Sequence, residues 1–178
     1  MLVTLQPRPR AADSELVLAA GAGDRAAFGV LYGRYRRMIH GILLAHVSYS
    51  DAEDLMQDVF VQAMRRLPGL REPEAFGGWL TAIARHLAVD SHRRHKKTVE
   101  VTERNCGVTK QDEAEMVMSS IRTLPEAYRE TMMLRLVEGM TGPEIAVRCR
   151  LTESSVRVNL CRGMKMLREK FGEGGRHG

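Results

Sequence analysis

A chain of 178 residues with Lys+Arg 27 against Asp+Glu 22 carries a modest basic excess, +5, and has room for one ordinary domain or two small ones. Hydrophobic residues make up 44%, enough for folded cores, while aromatics make up only 5%, which favours helix packed on helix. No apolar run would span a bilayer, the opening MLVTLQPRPRAADS lacks a signal peptide's apolar core, and three scattered cysteines (Cys106, Cys149, Cys161) exclude a disulfide framework, so a reducing cytoplasm is the expected home.

Residues 1 to about 12, with Pro7 and Pro9, have no periodicity and read as a loose arm. Asp13 or Ser14 caps a short helix that runs through Ala20 and is broken by Gly21-Ala22-Gly23. Asp24 opens a longer helix with Phe28, Leu31, Tyr32, Tyr35, Ile39 and Leu43 on its inner side. Ser48-Tyr49-Ser50 reads as a loop with Asp51 as the next cap.

From Ala52 to about Arg66, Leu55, Val59 and Ala63 form an inward stripe widened by Met56, Phe60 and Met64. Asp54, Gln57, Asp58 and Val61 gather on the outer side, with Glu53 close by. An acidic face enclosing an apolar residue suits a basic helical surface on another protein. A solvated face with carboxylates favoured by the helix dipole accounts for it equally simply.

After a loop from Leu67 to Glu72, Pro73 starts a helix to about Lys97, with Leu80, Ile83, Ala84 and Leu87 inward. Trp79, Ala82, His86, Asp90, Arg93 and Lys97 follow one another at steps of three and four on another face. Five lysines and arginines against one aspartate lie between Arg85 and Lys97. A stacking ring above a cationic track is what unpaired nucleic acid requires. A core tryptophan and a solvated basic terminus would leave the same pattern.

Thr98 to about Gln111 lacks a helical stripe and reads as a linker, and from Thr98 to Glu115 five acids outnumber two bases. Asp112 then caps a helix containing Met116, Val117, Ile121 and Leu124, and Pro125 opens another with Tyr128, Met132 and Leu136 inward. Thr141 and Gly142 lead Pro143 into a short helix to about Cys149. Arg150-Leu151-Thr152 is the turn, with Thr152 capping a last helix whose inner side is Val156, Leu160, Met164 and Leu167. Ser155, Asn159, Arg162 and Met166 fall opposite, flanked by Ser154, Val158 and Lys165, within a stretch of seven bases and two acids from Arg148 to Lys170. A helix pair with a short polar and basic face on its second member suits a major groove, and a helical hairpin with a solvated basic face would leave the same pattern.

No Gly-rich phosphate loop, Ser-His-Asp set or paired zinc motif is present. His86, His92 and His95 share a helix without a cysteine pair, and phosphate contact or solvation explains them better than a metal. Neither an enzymatic site nor a cofactor is expected. The expected fold class is all-α, in two small helical domains.

Three stretches in order, DAEDLMQDVFVQAMRRL, FGGWLTAIARHLAVDSHRR and LPEAYRETMMLRLVEGMTGPEIAVRCRLTESSVRVNLCRGMKMLREKF, resemble a bacterial sigma factor of the small extracytoplasmic-function group of the sigma-70 family. The resemblance implies an arm and short helix over 1–23, a domain over 24–97 for core polymerase and the minus-ten element, and a linker over 98–111. It further implies a helix-turn-helix domain over 112–178 for the minus-thirty-five element. By the same likeness Asp54, Gln57, Asp58 and Val61 dock on the clamp helices of the polymerase beta-prime subunit. Phe76, Trp79, Arg85, His86, Arg93, Arg94, Lys96 and Lys97 would meet the minus-ten element, with the Gly69–Phe76 loop as the base pocket. Thr152, Ser154, Ser155, Arg157, Val158, Asn159, Arg162 and Lys165 would meet the minus-thirty-five element. Core polymerase, promoter DNA and an anti-sigma protein are the implied partners, without membrane insertion. A helix-turn-helix regulator acting without polymerase is the competing reading, which the acidic helix and the Trp79 track disfavour.

Overall fold

In a computed structural model, residues 11–98 and 110–174 are described, apart from the side chains at 11, 12, 92, 94–98, 110–113 and 172–174. Eight α-helices appear among them: α1 (Ala11–Gly21), α2 (Arg25–Leu44), α3 (Tyr49–Arg66), α4 (Phe76–Thr98), α5 (Lys110–Arg122), α6 (Glu126–Leu136), α7 (Gly142–Cys149) and α8 (Glu153–Gly174). Two single 3-10 turns, Leu67–Gly69 and Pro73–Ala75, join α3 to α4. The all-α expectation is met, and no strand occurs among the described residues.

Local chemistry sets most boundaries. Asp24 caps α2, its carboxylate accepting from the amides of Ala26 and Ala27 at 2.8 and 3.1 Å. The cap of α3 is Ser48 rather than the expected Asp51: its hydroxyl accepts from the Asp51 amide at 3.2 Å and donates to the Asp51 carboxylate at 2.7 Å. The helix therefore begins inside the Ser-Tyr-Ser segment read as loop, because a serine in extended conformation three residues before Asp51 already satisfies the first turn.

The N-terminal helices α1 to α4 surround a core that includes Leu31, Met38, Ile42, Val59, Phe76 and Leu80. Helix α1 is part of this bundle: Val17 is buried, and the Asp13 carboxylate pairs with Arg34 and accepts from the Tyr35 hydroxyl at 2.8 Å. Tyr32, expected inside, lies at the edge with its ring against Phe60 at 4.6 Å between centroids. Met64, also expected to widen the stripe, is 51% exposed, because α3 has α2 and α4 on one side only.

In the C-terminal half, Met118 and Ile121 of α5 and Leu124 in the turn after it are buried, while Met116 and Val117 are exposed. The inward side of the next helix differs from the sequence reading. On α6, Met132, Met133 and Leu134 are buried and Leu136 is exposed. The reason is that α6 packs on two sides, with α8 on one and α2 of the N-terminal half on the other. Gly41 of α2 permits that approach, since a Cβ there would stand 2.8 Å from Leu134 Cδ2. Buried residues of both halves consequently form one continuous apolar cluster.

Helix α7 starts with a capping box: the Glu144 amide donates to the Thr141 hydroxyl, and the Thr141 amide donates to the Glu144 carboxylate at 2.8 Å. The Thr141 amide, and after it the Thr141 hydroxyl donating to the same carboxylate at 2.8 Å, hold the Glu144 carboxyl below its ordinary value. The helix ends at Arg150 in the left-handed region, φ 55 and ψ 38. That conformation favours glycine and carries a strain of order 1 kcal/mol for other residues. Arg150 bears it at the corner where α7 turns into α8.

Candidate nucleic-acid interface

The outer face of α3 holds Asp54, Gln57 and Asp58, all exposed, with Val61 45% exposed among them. Its inner face is fixed by Ala52, Leu55, Val59 and Ala63, all buried, so helical geometry sends the acidic group outward. Glu53 at the edge is drawn toward α2, its carboxylate 3.2 Å from His40 Nε2.

On α4 the sequence-derived set divides. Phe76 is 1% exposed and packs edge-on against Tyr35 at 5.1 Å between ring centroids, so it is a core residue and not a DNA contact. It sits at the first turn of α4 facing α2, where the apolar environment outweighs any surface role. Its ring lies 5.9 Å from that of Trp79, which is half-buried and supported from below. His86 is exposed with Nδ1 3.4 Å from the Asp90 carboxylate one turn on, and Arg93 is exposed. The side chains of Arg94, Lys96 and Lys97 lie outside the described residues.

Arg85, which the family likeness gives to the minus-ten element, is turned away from that track. Its Nε and Nη2 donate to the two carboxylate oxygens of Glu130 on α6 at 2.7 and 2.6 Å, and His46 Nε2 lies 3.0 Å from Glu130 Oε1. Burial works against charge on Glu130, but the bonds from Arg85 and His46 outweigh it and hold the carboxyl down at about 2. Nearby Cys149 is pushed up to about 11 by burial and by the Glu130 charge, so its thiol stays protonated at neutral pH. Among the described residues, His46, Glu126 and Glu130 bring metal-type donor atoms within 4.8 Å of one another. Both Glu130 oxygens already serve Arg85 and His46, and the guanidinium occupies the place a cation would take.

A second polar group joins the same two halves. His40 Nδ1 lies 2.6 Å from Glu138 Oε1, and Arg37 donates to the Glu138 carbonyl. The Glu138 bond, helped by both carboxylates and opposed by burial, raises the His40 pKa above its usual value. Arg122 Nε donates to the Leu44 carbonyl at 2.9 Å, Arg148 donates to the Arg34 carbonyl, and Arg150 Nη2 donates to the Glu74 carbonyl at 2.7 Å. Sequence reasoning missed His40, His46, Glu130 and Glu138. Each sits on an ordinary amphipathic helix, and nothing in spacing or composition pairs residues some 84 to 98 positions apart.

The helix-turn-helix is assembled as expected. Thr152 Oγ1 accepts from the Ser155 amide at 3.1 Å, capping α8, and Glu153 stands in its first turn. Val156 and Leu167 are buried, and Gly163 lets α8 approach α6 so closely that a Cβ would stand 2.7 Å from Met132 Cγ. Ser154, Arg157, Val158, Arg162 and Lys165 are exposed along one side, while Ser155 is half-buried. Asn159, expected to point outward with Arg162, is half-buried and donates to the Thr131 hydroxyl of α6 at 3.4 Å. Its amide belongs to the α6–α8 seam because α6 reaches further round α8 than the stripe Val156, Leu160, Met164 and Leu167 indicates.

Residues 31–98 match the Sigma-70 region 2 family model and residues 114–167 the Sigma-70, region 4 model. Over 181 aligned positions the chain is 27% identical to the ECF RNA polymerase sigma-E factor of Haemophilus influenzae, covering 89% of this chain and 95% of that protein. Identity to the sigma-E factor of Escherichia coli K12 is 26%, covering 89% and 93%. In structure it is similar to CnrH, solved in complex with the cytosolic domain of CnrY, with a TM-score of 0.61, 25% identity and coverage of 91% of this chain and 98% of that one.

Proposed function

Because the chain belongs to the sigma-70 family, as a sigma factor of the extracytoplasmic-function group, we propose that its three surfaces divide the work of initiation among themselves. Residues 24–97 form the module for core polymerase and the minus-ten element, residues 112–178 the module for the minus-thirty-five element, and residues 98–111 the tether. The acidic face of α3 docks on the clamp helices of the beta-prime subunit through Asp54, Gln57, Asp58 and Val61. On α4, Trp79 supports the edge of the melted segment while His86, Arg93, Arg94, Lys96 and Lys97 follow its phosphates. Arg157, Val158 and Arg162 on α8 meet base edges, and Lys165 a phosphate.

Strand opening then needs no covalent chemistry. Each unpaired base held on a ring contributes about 1–3 kcal/mol, which offsets the unstacking of a step. The relatives include CnrH, which was solved with the cytosolic domain of CnrY, and an anti-sigma protein partner is proposed for this chain as well. Among the described residues no helix is long and apolar enough to cross a membrane.

The observation that carries the reading is the outward, unpaired projection of Asp54, Gln57, Asp58 and Val61 from a helix whose other face is closed by core packing. Reversing charge at Asp54 and Asp58 together is expected to weaken binding to core polymerase by about 2–5 kcal/mol. Helicity should stay unchanged, since neither side chain is buried. Run-off transcription with purified core reads the effect. A folded double variant with wild-type core affinity would remove this face from the assignment, and a chain that binds promoter duplex without core would favour the simple regulator.

A further inference from the structure

Beside the apolar contact of α6 on α2, a set of charged groups holds the two halves together. Glu130 receives Arg85 in a two-point fork and His46 beside it, and Glu138 receives His40 while Arg37 holds its carbonyl. At the far end Arg150 of the helix-turn-helix corner reaches the Glu74 carbonyl and lies across the start of α4, its Nη1 3.6 Å from where a Cβ on Gly78 would stand. Inter-domain contacts that carry this many polar groups separate more readily than wholly apolar ones.

We propose that this arrangement is a closed resting form, in which Glu130 occupies Arg85 as a DNA phosphate otherwise would and the two promoter-reading modules are kept from their elements. The proposal rests on the sigma-factor reading above and on the family likeness that gives Arg85 to the minus-ten strand once the halves part. A planar guanidinium takes carboxylate and phosphate in the same fork, so one side chain has two exclusive partners.

Distance makes closure and function incompatible. Elements centred near minus thirty-five and minus ten are roughly 25 base pairs apart, which at about 3.4 Å per step is roughly 85 Å. A compact chain of this length has a radius of gyration of about 16 Å. With Arg150 seated on Glu74, the recognition helix begins beside the very loop assigned to the minus-ten base pocket. Both elements can be engaged only after α6 and α7 leave α2 and α4. That departure frees Arg85 for the strand and releases His40 from Glu138, at the edge of the acidic α3 face where Glu53 stands. Any partner that takes only the open form binds with an affinity reduced by the open fraction.

The test is small-angle X-ray scattering on the full chain, wild type and the double variant Glu130→Gln/Glu138→Gln, with fluorescence titration of each against purified core polymerase. Neither glutamate belongs to the docking or DNA-reading sets. The wild type should scatter as a compact particle and the variant as an extended one, with core affinity raised about tenfold or more. A variant that is as compact as wild type and binds core equally would overturn the proposal, as would an extended wild type. An extended variant without any gain in core affinity would refute the inhibitory role. If the double variant fails to fold, wild-type scattering at low and high salt decides: ion pairs with exposed members are screened, so a chain equally compact at both refutes the charge clasp and one that expands supports it. Absence of core binding by both proteins would count against the sigma reading, while scattering would still judge the closed form.

Discussion

Gly41 offers a way to loosen the two halves without touching a charge. It lies in α2, and an added Cβ would stand 2.8 Å from Leu134 Cδ2 and 2.9 Å from Glu138 Cγ. Ordinary carbon contacts are about 3.5–4.0 Å, so either neighbour must move. Leu134 is fully buried and has little room to do so. Two opposed effects follow from Gly41→Ala. Within α2 the change removes a glycine from a helix interior and contributes about 0.8–1 kcal/mol in favour of the helix, whether or not the halves touch. Across the α2–α6 contact it introduces overpacking of about 1–3 kcal/mol, felt only in the closed form. Closure should therefore weaken by roughly 5- to 150-fold while the N-terminal bundle keeps or gains stability. Scattering in solution reads the first effect, and urea unfolding followed by circular dichroism reads the second. A Gly41→Ala chain that is more stable and just as compact as wild type would show that Leu134 and Glu138 do not press on α2, and the packing argument would fail.

Acid and base should each loosen the same contact. Glu130, held down from about 4.5 to about 2, contributes about 3 kcal/mol that is present above its ordinary value and lost as pH falls toward 2. His40, raised by Glu138 and Glu53 and lying near Arg37 and the Tyr49 ring, contributes below about 6.5 and ceases to as pH rises through its elevated value. Scattering across pH 3 to 9 should find the most compact particle in mildly acidic solution, and a flat profile would contradict both assignments. On α8, Asn159→Ala should cost about 0.5–1.5 kcal/mol of stability through its lost bond to Thr131 and leave promoter discrimination near wild type. Arg162→Ala should instead relax discrimination at one upstream position by roughly 1–3 kcal/mol, measured by binding to substituted duplexes. The reverse pattern would return Asn159 to the reading face.

Helix existence and most helix limits were legible in the chain alone because they depend on neighbours in sequence. The aspartate at 24, the threonines at 141 and 152 and the proline at 143 satisfy first-turn groups wherever the helix later packs. A non-glycine residue at the helix-turn-helix corner could likewise be located beforehand, and Arg150 takes the left-handed conformation that corner requires. The acidic face of α3 was readable for the same reason, since one well-marked buried stripe determines the opposite side. What the sequence could not supply is which of two apolar sides an evenly mixed helix buries. Helix α6 is flanked by both α2 and α8, so Met133 and Leu134 are buried where Leu136 was expected, and Asn159 is drawn into the seam. Phe76 and Trp79 stand three residues apart with similar chemistry, yet one faces Tyr35 in the core and the other the rim, a distinction made only when α4 is laid against α2. The pairing of Arg85 with Glu130 is of the same kind. Charge attraction acts through space over a few ångströms, and 45 residues of chain separate the partners, so only the packing of α6 across α2 and α4 brings them within reach.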